Sequence, residues 1–433
     1  MPSYICSKCS KEFTTQSAYD RHLKRIRPCI PNNVTEHIGS DLKFVDLFCG
    51  IGGFHLALTS LGAQCVLACD IDDKCRDVYK ENFGLEPKKD ILELKSEDIP
   101  PFDILCGGFP CQAFSHAGKQ GGLDDTRGTL FREICRILKD CQPKYFLLEN
   151  VKNLKGHDSG KTIQIIYKSL HEVGYTTHGK PILLSPHHLG VPQHRERVFI
   201  LGIRNDLLMG CNGTLKAFPD IKACKTDITS ILDLKSPIIN SLRISKTDES
   251  VLNLWDEVVQ HFKQISLKLP TFPIWSDDWD STYEINNIPT WKQKFITNNR
   301  EFFREHKQFL ESWLLRAREN AGFVGAKRKF EWQCGTMQKD DGIWNLLFTF
   351  RPSGIRVKRA NYSPALVAMA QIVNVGSQKR KLSPREVARL QSFPDSFKIH
   401  TSANVAYKQF GNSVNVAVVK RMAEFLIKEM VVA

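Results

Sequence analysis

Leu42-Lys43-Phe44-Val45-Asp46-Leu47-Phe48-Cys49-Gly50-Ile51-Gly52-Gly53-Phe54-His55-Leu56-Ala57-Leu58 is the stretch on which the fold turns. Apolar residues run through Phe48 as in a buried strand, the glycines allow a tight turn, and Phe54 to Leu58 resumes at helical spacing. Strand, Gly turn and helix together suit the opening of a nucleotide-binding sheet, although a glycine needed only for tight helix–strand packing is also common. Downstream, Ala63-Gln64-Cys65-Val66-Leu67-Ala68-Cys69 reads as a second strand. Asp70 ends it twenty residues after Gly50, where a ribose-binding carboxylate sits in a doubly wound sheet. The Gly turn alone serves NAD, FAD or S-adenosyl-L-methionine equally. Two details favour the sulfonium cofactor: Phe48-x-Gly50-x-Gly52-Gly53 lacks the full spacing for a pyrophosphate, and a further carboxylate opens Asp90-Ile91-Leu92 after the next helix.

Further along, Phe102-Asp103-Ile104-Leu105-Cys106 predicts a buried strand that ends in Gly107-Gly108-Phe109-Pro110-Cys111-Gln112-Ala113-Phe114-Ser115. The glycines let the backbone approach something closely, and the loop presents one thiol. Cysteine is the strongest side-chain nucleophile at neutral pH, so Cys111 suggests covalent catalysis, although a lone Cys is more often a small buried hydrophobe. A helix is expected from Arg127 to Gln142, then a strand Lys144 to Leu148 whose end carries Glu149-Asn150-Val151. Strand C-termini are where ligands bind in such sheets. A helix over Gly160 to Val173 leads to strands Tyr175 to Leu184 and Val198 to Ile203, flanking Pro192-Gln193-His194-Arg195-Glu196-Arg197. Arg195 and Arg197, spaced by one residue, are expected to point the same way on an extended chain.

The composition is that of a globular intracellular protein. The 433 residues are 42% hydrophobic and 25% charged, enough for two or three domains. No apolar run reaches the about 18 residues of a membrane span, and the start is no signal peptide. Fourteen cysteines in such a length are too sparse for a disulfide framework and are expected as thiols. The formal charge of +13 draws polyanions, nucleic acid first among them.

Before the sheet lies a compact metal-site pattern: Cys6-x2-Cys9, twelve residues, His22, then six residues to Cys29. Phe13 and Tyr19 fall at the two core positions of a ββα finger, which folds only when metal and a small apolar cluster act together. The pattern resembles a C2H2 zinc finger with its last His replaced by Cys29, as in fingers of large DNA viruses. That resemblance implies a Cys3His site for Zn²⁺. Arg21, Lys24, Arg25 and Arg27 crowd its helix, and DNA and protein are both open as its target. Residues 30 to 41 are polar and turn-rich and read as a linker.

Five motifs in order, Asp46-Leu47-Phe48-x-Gly50-x-Gly52-Gly53, Pro110-Cys111-Gln112, Glu149-Asn150-Val151, Gln193-x-Arg195-x-Arg197 and Gly411-Asn412-Ser413-Val414, resemble the DNA (cytosine-5) methyltransferases of restriction-modification systems. The resemblance spans 42 to about 205 and 380 to 430. It implies an α/β fold of the class I S-adenosylmethionine-dependent methyltransferase type, a Rossmann-like doubly wound sheet with an inserted target-recognition domain. It also implies methyl transfer to cytosine C5 in a specific double-stranded DNA sequence, through a Cys111–C6 intermediate on a flipped-out base. Glu149 then holds N3 and the exocyclic amine, and Arg197, with Arg195 beside it, anchors O2. Phe48, Gly50, Gly52, Gly53, Asp70, Ile71, Asp90, Ile91 and Asn412 form the cofactor site, with Ile71 where relatives often place an aromatic that stacks on adenine. Ser115 to Gly122 resembles the family's closing loop. Implied partners are double-stranded DNA and a cognate restriction endonuclease encoded nearby, with no membrane and a monomeric chain in the cytoplasm of a bacterium or in an infected host cell. A tRNA methyltransferase of the same fold and a silent DNA-binding relative are the rival readings. The first is disfavoured by the long insertion, the second by the intact Cys111, Glu149 and Arg197.

The expected organisation is a finger over 1–30, a linker 31–41, the catalytic domain 42–205, a target-recognition region 206–375 and a return to the catalytic domain over 376–433. Within the insertion, Trp291 to Asn320 carries Phe295, Phe302, Phe303, Phe309, Leu310, Trp313 and Leu314 at helical spacing, which reads as core. Arg351-Pro352-Ser353-Gly354-Ile355-Arg356-Val357-Lys358-Arg359 is a candidate for phosphate contacts. Ser383-Pro384 is read as a helix cap and first turn, and Gln409 to Met430 as one final helix.

Overall fold

The computed structural model describes residues 41–110, 128–208, 215–366 and 371–430, together with positions 4, 5, 12, 13, 15, 17, 19 and 20. At the N-terminus, β1 (Tyr4–Ile5) and β2 (Glu12–Phe13) pair antiparallel, Tyr4 opposite Phe13. The Tyr19 N–H donates to the Thr15 carbonyl at 3.2 Å, one turn of helix. Cys6, Cys9, His22 and Cys29 lie outside the described residues. Among the described residues no cluster could hold a metal ion.

The expected first βα unit is present. β3 (Lys43–Leu47) enters a turn and then the helix Gly53–Thr59. β4 (Gln64–Cys69), β5 (Ile104–Gly108) and β6 (Tyr145–Val151) follow, with helices Asp73–Phe83, Gly128–Cys141 and Lys161–Glu172 between and after them. These four strands lie parallel in the order β4-β3-β5-β6. Beyond β6 the sheet reverses direction. β10 (Arg197–Arg204) runs antiparallel to β6, and β7 (Tyr175–Thr177) and β8 (Ile182–Leu184) pair antiparallel with β10. The single strand expected over Tyr175 to Leu184 is therefore two short ones along the same neighbour. Helices cover both faces: Phe131, Ile134, Ile166 and Leu170 pack on one, Phe54, Ala57, Val419 and Met422 on the other. All nine cysteines among the described residues are free thiols, and no described helix is long and apolar enough to cross a membrane.

A second sheet is built from β11 (Ile274–Trp275), β12 (Lys329–Trp332), β13 (Leu347–Arg351), β14 (Gly354–Lys358), β16 (Asn374–Val375) and β17 (Arg380–Lys381), in the order β11-β12-β14-β13-β16-β17. β9 (Gln193–His194) and β15 (Ser363–Pro364) form a separate parallel pair. The helix Lys246–Gln264 and the pair Thr290–Glu305 and Lys307–Glu319 pack on one face of the larger sheet. Of the residues read as core, Phe302, Phe303, Leu310, Trp313 and Leu314 are buried, whereas Phe309 is half-buried against them and Phe295 half-buried beside Trp275; Trp313 stands 4.9 Å from Trp255. Both indole N–H groups are satisfied, Trp255 by the Lys327 carbonyl at 2.9 Å and Trp313 by that of Leu254 at 2.8 Å, so their burial leaves no orphaned donor.

The chain returns through the helix Pro384–Leu390, capped by Ser383 in a reciprocal box with Glu386 that satisfies two N-terminal N–H groups. Glu386 also forms a fully buried pair with Arg380 at 2.7 Å. The single helix expected over Gln409 to Met430 is broken. Ala403–Asn412 stops, Ser413 to Asn415 is extended, and Val416–Glu424 begins afresh with Asn415 as its cap. The break has a cause: Arg195 takes the Gly411 and Ser413 carbonyls, both at 2.9 Å.

Candidate functional site

The turn after β3 is shaped to admit a ligand. Phe48, Gly50 and Gly52 have φ of 55°, 52° and 88°, a region only glycine enters freely. A Cβ on Gly50 would meet nothing within 4 Å, whereas one on Gly52 would strike the Phe83 ring and one on Gly53 would lie 2.6 Å from Val414. Gly50 thus faces open space, while the other two serve close packing. The Asp70 carboxylate accepts from the Gly50 N–H at 2.7 Å and the Asp72 N–H at 2.8 Å, which joins the end of β4 to the turn. Burial lifts the Asp70 carboxyl above its ordinary range, against those two donors. Beneath the turn, Asp46 is fully buried with Oδ2 unpartnered, and burial followed by repulsion from Asp70 pushes its carboxyl well up.

Asp90 accepts from the Leu92 N–H at 2.9 Å, and Ile91 is buried. Ile71 is 70% exposed, an apolar surface beside the carboxylate. Asn412 is exposed at the end of its helix. An open glycine turn, carboxylates following two successive βα units and an exposed apolar side chain suit a ligand with hydroxyls, an apolar ring and positive charge. The residues fit S-adenosyl-L-methionine.

The second half of the site is set by strand register. β5 runs parallel to β6 with Gly108 opposite Glu149, and β10 runs antiparallel with Phe199 opposite Glu149. Glu149 therefore stands between the strand leading into Pro110-Cys111 and the strand that begins with Arg197. Arg197 Nε lies 3.0 Å from Glu149 Oε1. Burial raises the Glu149 carboxyl, opposed by Arg197 and then Arg195. A Cβ on Gly108 would lie 3.2 Å from Glu149 Oε2, so the small residue keeps the carboxylate's place. Cys111 itself, with residues 112–127 and the expected closing loop, lies outside the described residues.

Arg195 takes partners other than those of Arg197. The segment between β9 and β10 is not regular strand, and the side chain is 3% exposed. It donates to the carbonyls of Leu366 at 3.0 Å, Gly411 and Ser413. Burial, then Arg197, lowers its guanidinium to about 9. Two residues that sequence reasoning did not single out also hold the site. Asn150 Nδ2 donates to the Phe109 carbonyl at 3.0 Å, fixing the chain two residues before Cys111. Ser185 Oγ accepts the Arg195 N–H at 2.9 Å. Asn150 follows Glu149 in Glu149-Asn150-Val151, which is a signal in the sequence; Ser185 has none.

Comparison with known proteins agrees with this geometry. The model of the C-5 cytosine-specific DNA methylase family matches residues 42–428. The Type II methyltransferase M.AluI of Cellulosimicrobium cellulans is 33% identical, over 88% of this chain and 91% of its own. M.HhaI of Haemophilus parahaemolyticus is also 33% identical, over 88% and 93%. Among solved structures, a putative DNA modification methyltransferase encoded within an Escherichia coli prophage superposes with a TM-score of 0.51 at 21% identity, covering 90% of this chain and 98% of its own, a likeness of fold. With the glycine turn, the carboxylates and the Glu149–Arg197 pair arranged along one sheet edge, the chain belongs to the C-5 cytosine-specific DNA methylases and transfers a methyl group from S-adenosyl-L-methionine to cytosine C5 in DNA.

Proposed function

We propose that Cys111, Glu149 and Arg197 carry out this transfer on a cytosine swung out of the duplex, and that the Glu149–Arg197 pair beside the end of β5 is the observation that carries the assignment. Cytosine C5 is a poor carbon nucleophile. The Cys111 sulfur, its proton lost to solvent, bonds to C6 while Glu149 in its protonated form donates to N3. The C5–C6 double bond opens and C5 becomes enamine-like. The upward shift of Glu149 favours the proton this step needs. Arg197 holds O2 and keeps Glu149 oriented. The cofactor supplies the electrophilic methyl group. Loss of the C5 proton to solvent, expulsion of the Cys111 thiolate from C6 and return of the N3 proton to Glu149 then restore the ring. Extrusion of the base costs a few kcal/mol, which contacts to the duplex must offset.

Phe48, Gly50, Gly52, Gly53, Asp70, Ile71, Asp90, Ile91 and Asn412 hold the cofactor on this reading: Asp70 by the ribose hydroxyls, Ile71 against the adenine. Residues 206–375 read the target sequence, a role supported by the core they share and by a second sheet that β17 of the returning segment completes. The segment 1–30 binds one Zn²⁺ through Cys6, Cys9, His22 and Cys29, a reading supported by the short β1–β2 pair and tested by metal analysis of the full chain. The protein acts as a cytoplasmic monomer and protects DNA from a cognate endonuclease. Bisulfite sequencing of plasmid DNA from cells expressing the chain tests the activity and reports the target. One sequence context uniformly methylated is expected, and no methylated cytosine would refute the function.

A further inference from the structure

Glu149 and Arg197 meet at the end of the ladder that joins β6 to β10. Backbone pairing runs from Ile203 opposite Tyr145 to Arg197 opposite Val151 and stops there, so Glu149 and Arg197 form a diagonal pair across its last positions. Such ends fray, because a terminal hydrogen bond opens without breaking those inside it. This end also carries a pull. Arg195, two residues before the first paired position of β10, is drawn into the carbonyls of Leu366, Gly411 and Ser413. A guanidinium that must meet one oxygen of a base tolerates little movement, since a misplacement of about 1 Å costs about 100-fold in rate.

Lys152 and Glu196 occupy the next positions in register, beyond the last backbone pair. Lys152 Nζ stands 2.7 Å from Glu196 Oε2, an opposite-charge pair across antiparallel strands. The hydrogen bond from Lys152 holds the Glu196 carboxyl below its ordinary range. With side chains 54% and 25% exposed, the pair faces water and contributes little to folding. Its place gives it another use. The Glu196 carbonyl accepts from Arg197 Nη1 at 2.9 Å, while Glu149 Oε1 lies 3.0 Å from Arg197 Nε. The Arg197 guanidinium is thus held on two sides, and Lys152 fixes the residue that supplies the second.

We propose that Lys152 and Glu196 are positioning residues for methyl transfer: their ion pair clamps the start of β10 to the end of β6 and so fixes the Arg197 guanidinium against the flipped cytosine. This role rests on Arg197 holding cytosine O2 and adds the device that keeps it there.

The test compares wild type, Lys152→Met, Glu196→Gln, the double variant Lys152→Met/Glu196→Gln and Lys152→Arg as full chains. Each is measured for the rate of methyl transfer in a single turnover on a duplex bearing its methylation site, for cofactor affinity, for duplex binding at several salt concentrations and for urea unfolding. Lys152→Met and Glu196→Gln should each lower the rate about 10- to 100-fold. The double variant should be no slower than the singles, because all three lose the same clamp, and Lys152→Arg should keep close to the wild-type rate. Cofactor affinity and the urea midpoint should not move. An unchanged rate in Glu196→Gln overturns the proposal, as do effects that multiply in the double variant or a rate that falls only in step with the urea midpoint. A shallower salt slope for Lys152→Met also overturns it, since it would mark Lys152 as a phosphate contact. Wild-type chain that methylates no duplex, or Arg197→Ala that methylates at the wild-type rate, would instead refute the reading of the site, an outcome read before the clamp variants are compared.

Discussion

Arg197→Ala should destabilise the protein in a pH-dependent way. Arg197 Nε sits 3.0 Å from Glu149 Oε1, with side-chain exposures of 19% and 11%, so the pair is close to buried. Removing one partner of such a pair costs about 3–5 kcal/mol because the other charge stays behind uncompensated. Partial exposure of Arg197 places the expectation at the lower end, about 3 kcal/mol. The Glu149 carboxyl is raised by burial already, with Arg197 the foremost opposing influence. Without Arg197 it rises further. A carboxyl whose folded pKa lies above the unfolded value contributes stability that is complete below the unfolded pKa and is lost as pH rises through the folded one. The deficit of Arg197→Ala should therefore be small in acid, where Glu149 is neutral, and reach its full size at neutral pH. Urea unfolding of wild type, Arg197→Ala and Arg197→Ala/Glu149→Gln across this range is the assay. The double variant should recover much of the loss at neutral pH, since Gln carries no charge to strand. A deficit of equal size at every pH, or a double variant as unstable as the single, would refute the electrostatic account of this pair.

Cys111→Ser should abolish the denaturation-resistant adduct that the wild type forms with a 5-fluorocytosine duplex and cofactor; an adduct that survives would remove Cys111 as nucleophile. Asp70→Ala should weaken S-adenosyl-L-methionine binding by about 1–3 kcal/mol, the range for a lost hydrogen bond to a charged group, and calorimetry showing unchanged affinity would count against its ribose role. It should also loosen the turn, because Gly50 and Asp72 lose their acceptor. Arg195→Met should lower the urea midpoint strongly, since three buried carbonyls lose a charged donor. It should also weaken cofactor binding near Asn412, while the pH profile of kcat stays in place. A shifted profile would return Arg195 to direct contact with the base.

Local patterns determined the elements whose signals are short in range. The alternation of Leu42 to Phe48, the glycines that follow and the Ser383-Pro384 cap each specify a conformation within a few residues, and strand, turn and helix stand where expected. Glu149 and Arg197 were legible as types in a motif. Their pairing was not, because it depends on β10 entering the sheet antiparallel beside β6, a long-range register that no local pattern encodes. Arg195 shows the same limit. Its spacing from Arg197 is legible in the sequence, but its partners lie 171, 216 and 218 residues away, and no local pattern names the buried carbonyls that it satisfies. The final helix reads as continuous in the sequence for the same reason, since helical propensity cannot register that a distant guanidinium claims the carbonyls at the break. In the second sheet, the sequence marked Arg351 to Arg359 as basic; only the strand pairing, which sets Arg356 beside Glu331 and sends Arg359 to Asp341, decided which of those charges are bound within the fold and which face outward from it.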